Sequence, residues 1–468
     1  MSEAANDPAV TSGDVSSPVP PAVTRRAALR FGIAGLGLAA SVPLLAACGS
    51  SSNGAAPASS SGSAGGAGVT SGAVTAAQNT GKKATVRLWT WYQEQKGQWG
   101  PLIDEFQKAN PNITVTNRLF GTADQYLPAL QAAVAGGDVP EIFAPHVLAL
   151  QYGQNGISAN LTQELGASFT GDFFDSANQE YTLDGKQYAL GWMAQTFGVF
   201  YNPDVLTKAG VTEPETWDDL IAAAPKIKAA GSIPLAFSNN PGTSGLDFFL
   251  PLVTQAANDP TLVLKLDKSG KWNDPAVVKA LQMLHKIYQG NVFQTGFNAT
   301  DGNSAQQLFY TGKAGMYFSG SWTPQGLIQS APPDFVKKYK VMQTPAWTTG
   351  AKHWTANQAG AGLAVSETSA NKAAALEFVK FMYQGDRYAK IMNASTSMPC
   401  TKTAAAQVAD PKLKLMVSWL TSGLGCPHIT FGQGSTSIAD AMTNLLSGKG
   451  DPASTAAAME AAVSSARQ

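Results

Sequence analysis

The sequence predicts an α/β fold, in which helices pack on one or more sheets. Residues 85–91 and 112–119 alternate between apolar and polar positions, which is typical of strands. Between them, residues 101–110 begin with proline, have helical apolar spacing and end before Pro111, as a helix does. The same alternation of strand and helix continues along the chain and favours α/β layers over a sandwich or a bundle. A length of 468 residues suggests two or more domains.

The later elements are predicted from local signals of the same kind. Thr216 and Asp219 resemble a capping box ahead of a helix at 220–228, which Pro225 should kink or split. Further strands are predicted at 139–144, 197–201, 233–237 and 314–318. Further helices are predicted at 122–135, after Pro203, at 275–288, at 371–382 and through most of the C-terminal end.

The composition limits the possible partners. The chain has 32 basic and 32 acidic residues and therefore lacks the positive excess expected of a nucleic-acid binder. Apolar residues make up 44%, which is enough for a substantial core. No cluster of cysteine and histidine has the spacing of zinc ligands, so neither a metal nor a cofactor is predicted.

The N-terminal residues carry the signals of an exported lipoprotein in the right order. Arg25 and Arg26, followed by the apolar run 31–47, resemble a twin-arginine signal, with Ala28 where Phe is usual. The run ends in LAAC, which resembles a lipobox, and a diacylated Cys48 would supply the two acyl chains that stable anchoring needs. The alternative for the apolar run is a short buried helix. The predicted segments are a signal peptide at 1–47 and a flexible Ser/Gly/Ala tether at 48–81.

Two cysteines remain if Cys48 carries lipid. Cys400 and Cys426 would then be a pair in an oxidising compartment, and we expect a disulfide between them. The alternative is two independent buried thiols.

Several segments match the motifs of one family in order. The first strand ends in LWTWY, and residues 138–143 follow as DVPEIF. The longest match is LDGKQYALGWMAQTFGVFYNPDVLTKAG, residues 183–210, followed by PETWDDL at 214–220 and LFYTGKAGMYFSGSW at 308–322. Glu141 replaces the usual Asp and Gly191 the common Pro. From about residue 85 to 465, the chain is thus similar to bacterial extracellular solute-binding proteins of family 1, the maltodextrin-binding type.

The resemblance implies a fold and a role. The fold would be the two-lobed periplasmic-binding-protein fold of type II, which binds ligand in a cleft and closes by a hinge. The chain would be the substrate-binding lipoprotein of an ABC transporter, anchored by lipid to the outer face of the bacterial cytoplasmic membrane. Its expected partners are a small carbohydrate and the transmembrane permease subunits, and the chain itself would be a monomer. The implied lobes are 82–193 with 345–390, and 194–344 with 391–468.

The residues of such a site can be selected by chemistry. A sugar presents C–H faces that lie against aromatic rings and hydroxyl edges that pair with planar polar side chains. Relatives stack a sugar ring at the position of Trp322, and Gln195 takes the place of a family carboxylate while adding a donor. Trp91 and Tyr92 follow the first strand, at the edge where open α/β sheets bind ligands. The remaining predicted ligand contacts are Gln93, Glu94, His146, Trp192, Asn357, His428 and Phe431. The alternative for each is a structural role in the core, the hinge or a solvated loop.

Two other functions stay open beside this one. A glycoside hydrolase needs two carboxylates at a defined separation. Of the candidates Glu94, Asp138 and Glu141, the last two flank a strand, and the family position that could serve is Gln195. No G-x-S-x-G motif occurs, so we expect a protein that is not an enzyme. A binding protein of the same fold for a polyamine is the other alternative.

Overall fold

The predicted α/β fold is confirmed by the computed structural model, which describes residues 81–428 and 433–466. The strands are β1 Ala84–Thr90, β2 Ile113–Leu119, β3 Ile142–Phe143, β4 Thr182–Leu183, β5 Lys186–Gln187, β6 Leu190–Tyr201, β7 Ile233–Ala236, β8 Ala314–Gly320, β9 Lys340–Met342, β10 Thr355–Val365 and β11 Gly425–Cys426. The predicted signal peptide, Cys48 and nearly all of the predicted tether lie outside the described residues.

Twenty α-helices occur in the described ranges. They are α1 Lys96–Ala109, α2 Ala123–Ala135, α3 Ala149–Gln154, α4 Leu161–Leu165, α5 Ala167–Thr170, α6 Asp175–Asn178, α7 Pro203–Lys208, α8 Trp217–Ala229, α9 Leu246–Ala257, α10 Leu262–Ser269, α11 Pro275–Gln289, α12 Gly302–Tyr310, α13 Thr323–Ser330, α14 Pro333–Lys338, α15 Lys372–Met382, α16 Gly385–Ala394, α17 Lys402–Ala405, α18 Pro411–Thr421, α19 Gln433–Leu446 and α20 Pro452–Ala466. Within the part of the chain that the structure describes, none of these helices is long and apolar enough to cross a membrane.

Two helices differ from their predictions at a proline, and one predicted helix cap is confirmed. Pro101 lies inside α1, which begins at Lys96, whereas the sequence predicts a start at Pro101. Pro225 lies inside α8, which runs unbroken, so the predicted split is wrong. The capping box is confirmed: Thr216 Oγ1 accepts from the backbone N–H of Asp219, whose carboxylate accepts from the backbone N–H of Thr216.

The large sheet has the strand order β2-β1-β3-β10-β6-β8-β7, with β9 added to β6 and β11 to β10. β1 pairs in parallel with β2 and β3, whereas β10 pairs antiparallel with β3 and β6. β6 is longer than the predicted 197–201 and begins at Leu190, because its first half pairs with β10 and its second half with β8. The long strands β10 and β6 therefore join the β2-β1-β3 part of the sheet to the β8-β7 part.

Two hydrophobic cores flank this connection. The first contains side chains of β1, β2, β3, α1, α2 and α15, and the second contains side chains of α8, α9, α11, α19 and α20. From β6, Leu190 and Trp192 belong to the first core, and Phe197 and Val199 to the second. The first core also continues onto Phe200 of β6, Tyr317 of β8 and Leu327 of α13. We therefore name the lobes by the sheet: the part β2-β1-β3 with its helices is the first lobe, and the part β8-β7 with its helices is the second lobe. β6 thus passes from one lobe to the other.

The stretch 391–408 packs against the first lobe. Met398 accepts a backbone hydrogen bond from Ala194 of β6, and Cys400 accepts one from Phe174. The backbone N–H of Lys402 donates to Asp172. Residues 172–174 and 398–402, which are far apart in sequence, are therefore joined beside β6, the strand that crosses between the lobes.

Cys400 and Cys426 are both buried free thiols, so the predicted disulfide is wrong. Cys400 belongs to the first core and Cys426 to the second, which keeps the two sulfur atoms in separate packing environments. The Cys426 thiol lies 2.9 Å from Thr254 Oγ1, and the Cys400 backbone N–H donates to Tyr388 Oη. Burial raises the pKa of Cys426 to about 12 and raises that of Cys400 as well, so both stay protonated in the folded protein.

Candidate functional site

A small cavity lies where the two lobes meet along β6. It has a volume of about 20 Å³, room for about one water molecule. Three predicted site residues line it: Glu94 of the first lobe, Gln195 of β6 and Trp322 of the second lobe. The other lining residues are Met193, Ala194, Ser321, Gln325, Ser397 and Met398. Residues of both lobes and of the strand between them therefore converge at one point.

Trp322 supplies the aromatic surface of this cavity. It stands between the end of β8 and the start of α13, and 37% of its surface is exposed. A Cβ on Gly320 would lie 2.1 Å from the indole, so glycine is needed for the ring to fold back over the strand. Ser321 donates through its backbone N–H to Thr196 and through its hydroxyl to the Ala194 carbonyl. The Gly-Ser-Trp sequence thus fixes the indole onto β6.

Glu94 brings the only carboxyl group among the lining residues. It lies in a short 3₁₀ helix, Gln93–Gln95, immediately before α1. Burial raises its pKa above the ordinary 4.5, and its own backbone N–H offsets part of this effect. No arginine, lysine or histidine lines the described cavity to stabilise a negative charge there.

Gln95 holds this loop in place and was not predicted from the sequence. Its side chain is fully buried, and Nε2 donates to Met193 Sδ at 2.9 Å and Ser397 Oγ at 3.0 Å. Gln93, which was predicted to contact ligand, instead donates its Nε2 to the Phe120 carbonyl at 2.6 Å. The loop is therefore tied to β6, to the segment after α16 and to the end of β2.

Trp91 and His146 form a second group, which does not line the cavity. The indole of Trp91 lies 4.9 Å from the ring of Tyr92, 4.7 Å from that of Tyr126 and 5.5 Å from that of His146. Tyr92 is buried and donates its hydroxyl to the Gly362 carbonyl. His146 has a φ of 52°, in the left-handed region, and burial lowers its pKa, which favours the neutral ring. These rings form one aromatic cluster at the carboxyl ends of β1 and β3.

Trp192 lies in the first core rather than at the cavity, contrary to its predicted role as a ring platform. It is fully buried and stacks on Trp99, with centroids 5.2 Å apart and planes at 22°. Tyr388 donates its hydroxyl to the Trp192 carbonyl. Because the indole is fully buried among the rings of Trp99, Tyr383 and Tyr388, no ring face is open to a ligand in this conformation.

Three further predicted contacts lie away from the cavity lining or outside the described residues. Asn357 is 1% exposed on β10, and a Cβ on Gly425 would lie 1.9 Å from its Nδ2. The Nε2 atom of His428 lies 3.5 Å from the Oδ1 atom of Asp247. Phe431 lies outside the described residues.

Among the lining residues that were not predicted as ligand contacts, Gln325 is the one that its spacing in the sequence could have identified. Gln325 comes three residues after Trp322 in the first turn of α13, so helical spacing places both on neighbouring positions. Ser397 and Met398 reach the cavity only because residues 391–408 pack against the first lobe.

Solved structures share this fold. The GacH receptor of Streptomyces glaucescens, solved without ligand and with acarbose, is 24% identical with a TM-score of 0.68, covering 82% of this chain and 98% of that one. A chitin oligosaccharide binding protein is 20% identical with a TM-score of 0.70, covering 82% of this chain and 99% of that one. These likenesses establish the two-lobed fold.

Sequence relatives and a family match agree with the fold. A binding protein of Brucella abortus is 27% identical over 375 residues, which are 77% of this chain and 88% of that protein. A multiple sugar-binding protein of Streptococcus mutans is 25% identical over 315 residues, 66% of this chain and 73% of that protein. The sequence profile of the bacterial extracellular solute-binding proteins matches residues 90–384, more than half of the chain, and the protein therefore belongs to that family.

Proposed function

We propose that the protein captures a carbohydrate, an oligosaccharide or a similar neutral polyol, and delivers it to the membrane permease of an ABC transporter. The observation that carries this proposal is the meeting of one indole, Trp322, with two carboxamides, Gln195 and Gln325, at the crossing strand. An indole offers a flat apolar surface to a sugar face, and a carboxamide both donates to and accepts from hydroxyl groups. No step of covalent chemistry is needed.

Ligand capture would close the two lobes on each other. Glu94 and Trp322 come from different lobes, and a sugar between them would touch both at once. A cavity of about 20 Å³ cannot hold a sugar ring, so the lobes must separate to admit one. A ligand that contacts both lobes favours the closed form by its extra contacts there, and the permease would recognise that form.

The named relatives support a carbohydrate over other ligands. The Streptococcus mutans relative is a multiple sugar-binding protein, and the fold neighbours include proteins described with acarbose and with chitin oligosaccharide. A polyamine is the alternative ligand class. It would pair with carboxylates, of which the described cavity lining has one, Glu94.

Export and anchoring complete the proposal. The twin-arginine signal at 1–47 would direct the chain across the cytoplasmic membrane, and lipid on Cys48 would hold it at the outer face. The tether at 48–81 would let a monomeric binding body reach the permease. Because 391–408 packs against the first lobe, we assign 82–193 and 345–408 to that lobe and 194–344 and 409–468 to the second.

A thermal-shift screen of the purified protein tests the ligand class. A compound that binds only the folded protein stabilises it by about 2.7 kcal/mol at a hundredfold excess over Kd, which raises Tm. We expect a rise with at least one of raffinose, acarbose, diacetylchitobiose and an arabinooligosaccharide, and none with spermidine. A shift with spermidine alone would reject the carbohydrate, and release of reducing sugar from a bound oligosaccharide would reject the assignment as a binding protein.

A further inference from the structure

The surroundings of Glu94 in the cavity contain no counter-charge. The other described lining residues carry methionine, alanine, glutamine, serine and tryptophan side chains. Three of the segments that carry them, β6, α13 and residues 395–401, contain no Asp, Glu, Lys, Arg or His. A carboxylate closed into this space would meet only neutral groups.

Charged and titratable groups on the adjoining elements point elsewhere. Tyr92, two residues before Glu94, is buried and donates to the Gly362 carbonyl, and burial raises its pKa. Lys96, at the start of α1, is exposed, and His146 packs on Trp91. The charged side chains of α16 line a separate surface groove: Asp386, Arg387 and Lys390.

We propose that Glu94 meets the carbohydrate as a neutral carboxylic acid and donates a hydrogen bond to it, so that capture of the ligand takes up one proton. This inference rests on the proposed function. The partner of that donor is an acceptor oxygen of the ligand, such as a hydroxyl, a ring or glycosidic ether oxygen, or the carbonyl of an N-acetyl group.

The direction of the pH effect follows from the two states of the cleft. Opening of the cleft would hydrate Glu94 and return its pKa toward the ordinary 4.5, whereas burial in the cavity raises that pKa. The closed, liganded form therefore binds more protons. Affinity is greatest below 4.5, falls by up to about tenfold per pH unit above it, and levels off above the raised pKa of the closed form.

Calorimetric titration across this pH range tests the inference. The protein is titrated with raffinose, acarbose, diacetylchitobiose and an arabinooligosaccharide in two buffers of different ionisation enthalpy. For each compound that binds, we expect proton uptake and weaker affinity as pH rises. In the variant Glu94→Gln, whose carboxamide still donates, we expect binding without proton uptake and with no pH dependence.

A matched control separates this effect from general charge effects. Glu105→Gln removes an exposed carboxylate of the same lobe that is paired with Arg387, and it should keep the wild-type pH profile. Binding that is flat with pH in the wild type, or a slope that persists in Glu94→Gln, overturns the inference and leaves the proposed function standing. Failure of every carbohydrate to bind at any pH overturns the proposed function itself, and the inference with it.

Discussion

The indole of Trp322 meets the ring of Phe197 edge to face, with centroids 5.1 Å apart and planes at 87°. Phe197 lies on β6 and stacks in turn on Phe318 of β8, with centroids 5.7 Å apart. The contact therefore anchors the indole to the strand that joins the lobes. Because 37% of Trp322 stays exposed, the anchored indole keeps apolar surface that a sugar ring can cover.

Trp322→Ala should abolish most carbohydrate affinity with little loss of stability. The ring is partly exposed and lies at the meeting of both lobes, so we expect a loss of about 2 kcal/mol of binding, roughly thirtyfold in Kd. Calorimetric titration with the carbohydrate that raises Tm most would measure this loss.

Trp347→Ala is the matched control for that variant. Trp347 is a half-buried tryptophan that packs against the second core and does not line the cavity. It should lower Tm while leaving Kd within about twofold, since lost core packing acts on folding rather than on the site. Equal losses of affinity in the two variants would contradict the role given to Trp322.

Glu141→Gln should destabilise the protein at neutral pH. Arg87 donates to the Glu141 carboxylate through Nε at 2.9 Å and Nη2 at 3.3 Å, and Ser369 donates to it at 3.1 Å. Burial raises the pKa of Glu141, but the hydrogen bonds and charge of Arg87 outweigh it and hold the pKa below the ordinary 4.5. A depressed folded-state pKa means stability that is present above about 4.5 and lost as pH falls through the folded value.

The expected cost of Glu141→Gln is about 2 kcal/mol at neutral pH, because a buried, bidentate partner of Arg87 loses its charge. Denaturant unfolding at a series of pH values should show the difference from wild type narrowing below about 4.5. Asp138→Asn, which removes the exposed partner of the same arginine, should cost at most about 1 kcal/mol. A difference for Glu141→Gln that grows in acid would refute this account.

Local patterns in the sequence predicted the strands and helices well but not which residues meet. β1 lies one residue from its predicted position, and the helix predicted at 371–382 matches α15 within one residue. β6 was predicted only at 197–201, although both of its halves are buried on both faces, so the missed half, Leu190–Ala194, offers no alternation to detect. Periodicity reports burial on one face and fails where both faces are covered.

The site could be predicted only as far as the family motifs reach. Trp322 and Gln195 meet because β8, which ends just before Trp322, pairs with β6, which carries Gln195. Trp192 instead packs in the first core against Trp99 and Tyr388. A tryptophan three residues from a site residue has the same local pattern in either role. Contacts across the sheet decide between them, and a single sequence does not contain that information.

Cys400 and Cys426 should both react with an alkylating agent in denaturant without prior reduction. In the folded protein both are buried and their pKa values are raised, so we expect no modification there. Peptide mass spectrometry after iodoacetamide treatment would measure each site separately. Peptides that are modified only after a reductant is added would show a disulfide and contradict the two separate thiols of the structure.

Gly191→Ala should destabilise the first lobe because its added Cβ would lie too close to neighbouring atoms. A Cβ at this position would lie 2.6 Å from the Cys400 sulfur and 3.2 Å from the Ala177 carbonyl oxygen. The backbone around it is fixed, since the Gly191 N–H donates to Asn178 Oδ1 and its carbonyl accepts from Tyr383. We expect a loss of about 1–3 kcal/mol, as for other overpacked cores, measured by denaturant unfolding.

The source of that strain can be tested by removing the sulfur. In a Cys400→Ala background the closest atom is gone, so the same Gly191→Ala change should cost less, and the two substitutions should be coupled rather than additive. Gly100→Ala is the control: no atom lies within 4 Å of its added Cβ, and alanine within α1 should stabilise by about 0.5–1 kcal/mol. An equal cost of Gly191→Ala in both backgrounds would show that the contacts kept in both, to the Cβ of residue 400 at 3.1 Å and to the Ala177 carbonyl oxygen at 3.2 Å, exclude a side chain at this point of β6.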